Sequence, residues 1–500
     1  MRAPSPVNPA EAEAALDRAI SCYRAQRYGE ALSGLRALVS KDPAIATAWS
    51  VLGYLHRDLG QAEAAAAAFD RALQLRPDDP AALNGRARMA LERSESDVLD
   101  RYAAALRASP EDPKLLLERS EAKLALGDGG AIEEFASLAA QMPQWSEGQI
   151  ELARMLWESR RDPGFADPVE RLLREEPGRL DLRRRLIALL SGSDHHREAA
   201  RAAREARIAG GGGAEFALLE AVSAGRAGDV AGAEALFPLV PPDFPGRALH
   251  WSVHLVRQGK LELARTSIEA ALAEDPAGVG PWAVAELIYR KLGDRRSAWL
   301  SGQPGLVRAL DLPLEPSRLE AVTALLLELH SNGVEMVEQS VRSGTQTRWR
   351  LFDRREPELA ELRAAIDTAL ADYVSGLPPA DAGHPLLRHR DSRLAITGSW
   401  SVRLTAGGHH VSHMHPLGLV SSACYFRVPQ SASASGEGRL ELGRPPPDLR
   451  LDLEPLHVLE PRPGRLILFP SYLHHGTRPF AAGERLTVAF DVARHPAPDG

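Results

Sequence analysis

Prolines recur along the first third of the chain at a nearly constant spacing. Pro43, Pro77, Pro110, Pro143 and Pro177 are separated by 34, 33, 33 and 34 residues. Between them the sequence is rich in alanine, with apolar residues three and four positions apart, which is typical of paired amphipathic helices joined by short turns. A single pair cannot bury its own apolar face, so successive pairs must stack. The period therefore predicts an α-solenoid.

One unit of this array resembles a tetratricopeptide repeat (TPR). The matching positions are Trp49, Leu52, Gly53, Ala65, Phe69 and Pro77, with His56 where the pattern has tyrosine. The resemblance is clearest over residues 9–177 and decays over 178–300, where four glycines from Gly210 to Gly213 interrupt it. We predict a TPR-like α-solenoid over residues 9–300. The alternative is a generic alanine-rich helical bundle, and this alternative is stronger after residue 178, where the repeat pattern decays.

Composition excludes several classes of partner and compartment. The chain has 500 residues, a net charge of −7 and a sequence pI near 6.2, so it lacks the basic footprint of a nucleic-acid or anionic-membrane binder. Its two cysteines, Cys22 and Cys424, cannot form a disulfide framework or a cysteine-rich zinc module. No apolar run has the length of a signal peptide or a membrane span. We expect no nucleic acid, no membrane and a cytoplasmic location.

The predicted secondary structure changes from helix to strand within the last two hundred residues of the sequence. Helical patterns continue over 315–340 and 356–375, and from Leu394 onwards short β-rich runs separated by glycine and proline replace them. These runs are 394–404, 419–428, 439–442, 456–459, 465–469 and 486–492. Many short strands with tight turns predict a sandwich, jelly roll or barrel. The fold class predicted is α+β multidomain, with a helix-flanked double-stranded β-helix (jelly roll) over 305–495.

Lysine and histidine are unevenly distributed in a way that restricts the chemistry. The chain has five lysines and none after Lys291, which excludes Schiff-base chemistry and a Walker-type phosphate loop from the β-rich region. Half of the sixteen histidines, in contrast, fall within residues 409–495. The β-rich region is therefore where we look for a functional site.

Three of these histidines have the spacing of metal ligands. His413 and His415 are two residues apart, and on a strand such side chains leave the same face. His475 follows an apolar strand about sixty residues later, and a jelly roll can bring the two strands together. We predict a metal site at His413, His415 and His475, with His474 turned the other way. A chance run of surface histidines is the alternative.

An arginine near the last predicted strand could anchor a carboxylate. Arg485 can pair with a carboxylate bidentately, and the Thr487 hydroxyl lies on the same strand face. Because the region has no lysine, arginine is the residue type that could form such an anchor. The alternative is that Glu484 and Arg485 form an exposed ion pair in a turn.

Five segments together resemble the 2-oxoglutarate/Fe(II)-dependent dioxygenases found behind bacterial TPR arrays. These segments are 341–352, 398–404, 413–416, 421–426 and 469–485. The resemblance implies that His413, His415 and His475 bind Fe(II), and that these histidines and Arg485 are the catalytic residues. It also implies that Arg485 clamps the distal carboxylate of the cosubstrate 2-oxoglutarate, with Thr487 and Tyr425 completing the cofactor-binding set.

One position departs from the wider superfamily. Those enzymes usually have a carboxylate two residues after the first histidine, whereas this chain has His415 there. No Asp or Glu lies between Asp391 and Glu437, so no nearby carboxylate can take its place. A neutral third ligand leaves more positive charge on the metal and changes its redox poise. Iron is expected, while zinc, nickel or a degenerate site remain open.

The sequence supports three functions of different classes. The first is a 2-oxoglutarate- and Fe(II)-dependent dioxygenase that hydroxylates a peptide or protein substrate recruited by the TPR array. The second is a three-histidine cupin-type metal dioxygenase that acts without 2-oxoglutarate. The third is a TPR adaptor whose oxygenase domain is degenerate and non-catalytic. Succinate formation that depends on oxygen distinguishes the first from the others.

Overall fold

The computed structural model of the protein describes residues 9–209, 212–331, 336, 340–430 and 436–495. Within them, the chain up to Ser301 folds into consecutive helices that contact one another in pairs. The helices are Pro9–Arg24 (α1), Tyr28–Lys41 (α2), Ala46–Asp58 (α3), Ala62–Leu75 (α4), Pro80–Glu92 (α5), Val98–Ala108 (α6), Pro113–Ala125 (α7), Ala131–Gln141 (α8), Ser146–Arg160 (α9), Asp167–Glu175 (α10), Leu180–Gly192 (α11), His196–Ile208 (α12), Gly213–Arg226 (α13), Val230–Leu236 (α14), Arg247–Arg257 (α15), Leu261–Glu274 (α16), Val279–Leu292 (α17) and Arg296–Ser301 (α18).

The proline period marks the end of each helix pair. All five repeating prolines lie two residues after the second helix of a pair, as Pro43 does after α2 and Pro77 after α4. At the next helix start, the Asp79 side chain accepts hydrogen bonds from the backbone N–H groups of Ala81 and Ala82. Such a cap satisfies N–H groups that have no partner within the helix. The sequence therefore both stops and restarts the helices once per repeat.

The small residues of the repeat make room for its aromatic residues. Phe69 is fully buried between α3 and α5. A Cβ atom on Gly53 would lie 2.7 Å from its ring, and one on Gly85 would lie 2.3 Å from it. These close approaches explain why glycine suits both positions. They confirm the stacked TPR-like packing for this part of the array.

The same packing persists where the sequence pattern has decayed. The indole N–H of Trp49 donates to the carbonyl of Pro43 at 3.0 Å, and that of Trp282 donates to the carbonyl of Pro276 at 3.1 Å. In both units the proline precedes the tryptophan by six residues. Residues after 178 thus keep the helix pairs of the earlier repeats instead of forming an unrelated bundle.

In the part of the chain that the structure describes, nine strands follow the helices of the array. They are Arg308–Asp311 (β1), Val341–Gln346 (β2), Leu394–His410 (β3), Val420–Arg427 (β4), Leu440–Leu442 (β5), His457–Leu459 (β6), Arg465–Pro470 (β7), His475–Thr477 (β8) and Arg485–Arg494 (β9). One sheet has the order β1-β7-β4-β9-β3-β2 and the other the order β6-β5-β8, with antiparallel pairing. Helices Pro316–Leu329 (α19) and Pro357–Ser375 (α20) flank the sheets. The predicted helix-flanked β-domain is confirmed.

The predicted helix over 315–340 is too long. Helix α19 ends at Leu329, and Val341 already begins β2, which pairs with β3. Residues 332–335 and 337–339 lie outside the described part of the chain. The helix stops because His330, directly after it, is hydrogen-bonded to Thr345 of β2 and Ser401 of β3. Tertiary pairing here overrides the local helical pattern.

The chain divides into two compact units. The first contains the described residues within Met1–Phe135 together with Arg348–Ala360, and the second contains Ala136–Thr347 and Glu361–Ala493. The second unit holds helices α9–α19 and both sheets. A boundary between functional domains near residues 300–305 stays a prediction. None of the helices in the described residues is both long enough and apolar enough to cross a lipid bilayer.

Candidate metal centre and its cavity

Two of the predicted ligands are held together by their own backbones. His413 lies in the loop after β3, and His475 begins β8. The N–H of His413 donates to the carbonyl of His475 at 3.0 Å, and the N–H of His475 donates to the carbonyl of His413 at 2.8 Å. His415 follows on the same loop. One nitrogen from each ring lies within 4.8 Å of the others, and no other such group of three was found among the described residues.

Hydrogen bonds orient these rings toward one point. His413 donates from Nδ1 to the carbonyl of Val411 at 2.8 Å, and His475 donates from Nδ1 to the carbonyl of Leu473 at 3.0 Å. With the proton on Nδ1, each Nε2 carries a lone pair, and the hydroxyl of Ser340 lies 3.1 Å from that of His413. The Nε2 atoms of His413 and His415 are 3.1 Å apart. Two lone pairs at that distance are satisfied by a shared cation, so the donor set fits a metal ion.

Burial keeps the imidazoles of His413 and His475 neutral. It is the first cause that lowers the pKa of His413 to about 3, with His415 the next cause. Burial likewise holds the pKa of His475 well below its ordinary value, helped by the neighbouring His413 and His415. A neutral imidazole is the form that binds a metal ion. These two rings are therefore in the form that can bind a cation at neutral pH.

A carboxylate that sequence reasoning missed supports the third histidine. Asp491 lies on β9, and its Oδ1 atom is 2.6 Å from Nδ1 of His415. Ser421, its register partner on β4, donates to the same oxygen at 2.9 Å. The sequence offered no local signal for this contact, because Asp491 is separated from His415 by 76 residues. The negative charge absent from the ligand set thus lies directly behind His415.

Arg485 is buried with part of its guanidinium unused. Its exposed fraction is 2%, and its Nε and Nη1 atoms have no hydrogen-bond partner. Its Nη2 atom lies 3.4 Å from the hydroxyl of Tyr425, whose ring it covers at 5.0 Å. Glu484 pairs instead with Arg403 and Arg427. The alternative of an exposed Glu484–Arg485 ion pair is therefore wrong, and two buried donors remain free for an anion.

The predicted residues share one cavity of about 940 Å³. His413, His415, His475, Arg485 and Thr487 all line it. The Thr487 hydroxyl is 3.4 Å from the carbonyl of Val402. Thr477, on β8, also lines the cavity, and its buried hydroxyl has no hydrogen-bond partner.

Three other predicted or considered residues lie off this centre. Tyr425 is fully buried behind Arg485 and does not line the cavity. His474 lines the cavity but lies outside the three-histidine group. Glu441 is a nearby carboxylate that also lies outside the three-histidine group, and it forms ion pairs with Arg444 and Arg478. Sequence reasoning also missed the opposite wall of the cavity, which helices of the array supply.

Comparison with known families matches both halves of the chain. Residues 398–491 match a family described as "Putative 2OG-Fe(II) oxygenase". Residues 16–80 and 51–98 match the tetratricopeptide repeat family. No curated protein sequence matches the chain. The chain therefore carries tetratricopeptide repeats and a domain of the 2-oxoglutarate/Fe(II) oxygenase family.

Solved structures similar to this chain include a tetratricopeptide repeat protein, a prolyl-4-hydroxylase and HygX. A tetratricopeptide repeat protein from Parabacteroides merdae is 15% identical, with a TM-score of 0.33, over 55% of this chain and 98% of its own. A prolyl-4-hydroxylase from Pseudomonas putida is 16% identical, with a TM-score of 0.28, over 38% of this chain and 92% of its own. HygX from Streptomyces hygroscopicus, solved with nickel, 2-oxoglutarate and hygromycin B, is 14% identical, with a TM-score of 0.27, over 38% and 83%.

Proposed function

We propose that the protein is a 2-oxoglutarate- and Fe(II)-dependent dioxygenase that hydroxylates a peptide or protein substrate recruited by its TPR-like helices. One observation carries the proposal. Three imidazoles that converge on one point line the same cavity as Arg485, whose buried guanidinium has two nitrogens without a partner. A cation site and an anion site in one cavity match a metal together with a small dicarboxylate.

In the reaction proposed for this site, oxygen and 2-oxoglutarate together supply the atoms and electrons that hydroxylation requires. One molecule each of oxygen and 2-oxoglutarate and one substrate C–H bond give succinate, carbon dioxide and an alcohol, with one oxygen atom entering each organic product. Bound iron supplies the redox chemistry that activates oxygen.

The residues of the chain bind and orient the reactants. His413, His415 and His475 would hold the metal, with Asp491 fixing the ring of His415. Arg485 would take the distal carboxylate of 2-oxoglutarate through Nε and Nη1, with the Thr487 hydroxyl beside it. Phe469 packs edge-on against His475, with the ring centroids 4.8 Å apart. Apolar rings next to the ligands limit the access of water, which strengthens the electrostatic interactions within the site.

The free donors of Arg485 favour this function over a three-histidine cupin. A cupin-type enzyme that needs oxygen alone has no use for a buried cation beside its metal, and leaving such a group unpaired is costly. The non-catalytic adaptor is disfavoured for the same reason. A degenerate site would bind no anion, so nothing would offset the free-energy cost of burying the Arg485 guanidinium.

The test is anaerobic reconstitution of the full-length protein with Fe(II), followed by addition of 2-oxoglutarate and oxygen. We expect one Fe(II) per chain and slow oxygen-dependent succinate formation even without substrate. Replacing His413, His415 or His475 by alanine should abolish both. His457→Ala, on β6 and outside the cavity, is the matched control and should abolish neither. Stoichiometric iron without succinate would support the cupin function, and absence of both would support the adaptor.

A further inference from the structure

The wall of the cavity that faces the histidines is built by the helical array. It contains side chains of α11, α13, α15 and α17, which are the first helices of four consecutive pairs. All of them belong to the same compact unit as both sheets. The face that the stacked repeats present is therefore part of the metal cavity itself.

Specific contacts fix this wall relative to the metal ligands. Met414 lies between the ligands His413 and His415, and its Cε atom is 3.6 Å from the position that a Cβ on Gly280 of α17 would take. Arg257 of α15 forms an ion pair with Asp448, and its side chain is only 6% exposed. A group bound on the helical wall is thus held at a defined position relative to the metal site.

The charges on this wall leave one cation without a partner. The cavity is lined by four arginines and three aspartates, with no lysine or glutamate. Arg257 is paired with Asp448, and Arg342 is paired with Asp194. Arg226, at the end of α13, has no carboxylate within ion-pair distance in the part of the chain that the structure describes. Since Arg485 is assigned to the cosubstrate, Arg226 is available to a second anionic ligand.

Two histidines that line the cavity with Arg226 have ring nitrogens without a hydrogen-bond partner. The buried Nδ1 atom of His196 has no hydrogen-bond partner, and the imidazole of His250 makes no hydrogen bond to any described residue. Burial, followed by the charge of Arg226, lowers the pKa of both, that of His250 to about 4. Both rings are therefore neutral at pH 7 and able to donate one hydrogen bond each. The acceptor nearest to this group is Asp194, whose Oδ1 atom is 3.9 Å from Nε2 of His196, which leaves Nδ1 of His196, the ring of His250 and the guanidinium of Arg226 as possible donors to a bound anion.

We propose that Arg226, His196 and His250 bind the carboxylate of an acidic side chain in the polypeptide substrate, close to the residue presented to the metal. This inference rests on the proposed function and names its substrate class. Val222, Leu249 and Val253 line the same wall, and such apolar neighbours suit the aliphatic part of a peptide better than a phosphate backbone. The volume of about 940 Å³ leaves space beyond that of a small dicarboxylate.

The test measures peptide binding by the full-length protein without oxygen. The probes are degenerate pools of short blocked peptides that differ only at two fixed central positions, which hold aspartate in one pool and asparagine in the other. Binding is followed by competition for a labelled peptide, with and without Fe(II) and 2-oxoglutarate. We expect the aspartate pool to bind about tenfold more tightly, the order expected for charge-assisted hydrogen bonds.

The variant Arg226→Gln removes the charge at an exposed position and should bring the two pools to equal affinity. The matched control is Arg201→Gln on α12. Arg201 is 63% exposed, meets only Glu170 at 3.9 Å and does not line the cavity. This control should keep the full preference for aspartate. Circular dichroism and the unfolding temperature check that both variants are folded.

Three outcomes would overturn the inference. They are equal binding of both pools to the unmodified protein, an unchanged preference in Arg226→Gln, and tighter binding of a single-stranded oligonucleotide than of the aspartate pool. The proposed function fails separately, through absence of oxygen-dependent succinate in the unmodified protein. Because peptide binding is also measured without metal or cosubstrate, that failure would not remove the test of the acidic-peptide site.

Discussion

At the scale of single residues, the contact between His415 and Asp491 decides how a three-histidine site can serve an iron enzyme. A carboxylate ligand would lower the positive charge on the metal directly. Here Asp491 acts through the ring of His415, with Oδ1 2.6 Å from Nδ1. A carboxylate in this position fixes the tautomer and raises the basicity of the imidazole. The site therefore has its negative charge one ring farther from the metal.

The variant Asp491→Asn should weaken metal binding while the protein stays folded. Asparagine keeps the shape and an oxygen acceptor for His415 but loses the charge. We expect the affinity for Fe(II) or Co(II) to fall by about 10–100-fold, the range found when partners of metal-binding histidines are changed. The Co(II) absorption spectrum should shift as well, which a purely structural role would not cause. Complete loss of binding, as in His415→Ala, would instead make Asp491 a direct ligand.

The variant Arg485→Gln separates the cosubstrate site from the metal site. It removes the charge and the planar fork of donors, so 2-oxoglutarate affinity should fall by about 2–3 kcal/mol. Metal binding should persist, because Arg485 is not within the three-histidine group. Calorimetric titration of the Fe(II)-loaded protein without oxygen measures the first quantity. Unchanged 2-oxoglutarate binding would show that the free donors of Arg485 serve another ligand.

At the scale of elements, the sequence predicted what depends on local pattern. The proline period placed the helix ends, and the alternation after Leu394 placed most strands. The short strands β1, β2 and β8 were missed, because three to six residues carry little pattern and their pairing is with distant segments. Asp491 was missed for the same reason: only the pairing of β9 with β4 brings it opposite Ser421. Of the three predicted ligands, His413 and His415 have a local spacing, whereas His475 was predicted from its place after an apolar strand about sixty residues later.

His330 shows how such distant pairing affects stability. It follows α19 and is hydrogen-bonded to Thr345 and Ser401. Burial lowers its pKa from 6.5 to about 4. Between pH 6.5 and 4 the unfolded chain takes up a proton that the folded chain does not. The free energy of unfolding therefore falls as the pH is lowered through this window, and does not change with His330 above it.

We expect His330 to contribute about 3 kcal/mol to this loss of stability between pH 6.5 and 4. The variant His330→Asn lacks the titrating group, so its free energy of unfolding should decline less steeply over the same window. Denaturant unfolding at several pH values measures both slopes. The difference between the proteins isolates His330, because all other groups are common to both. Parallel pH curves would contradict the prediction.

At the scale of the whole molecule, the last long helix of the array is bonded to the segment between β5 and β6. Arg290 of α17 donates to the carbonyls of Gly443 and Glu454, and Lys291 donates to the carbonyl of Asp452. Arg290 also lies 3.2 Å from the fully buried carboxylate of Glu286. Burial raises the pKa of Glu286 to about 7, and Arg290 opposes that rise. Helix and sheets thus depend on the same buried charge pair.

Arg290→Ala and Lys291→Ala make a matched test of this dependence, because both remove a cation that binds backbone carbonyls. Lys291 is exposed, so its loss should cost less than about 1 kcal/mol. Loss of Arg290 leaves a buried carboxylate unpaired, which should cost about 3–5 kcal/mol at pH 8.

The cost of Arg290→Ala should be smaller at pH 6, where Glu286 is protonated in the folded protein and needs no partner. Adding Glu286→Gln should likewise restore part of the stability lost at pH 8. Chemical denaturation at the two pH values measures all four proteins. Equal effects of Arg290→Ala and Lys291→Ala would mean that the array and the sheets are joined by surface contacts alone. The helical wall of the cavity could then move relative to the metal ligands, and a substrate group bound on that wall would not be held at a fixed distance from them.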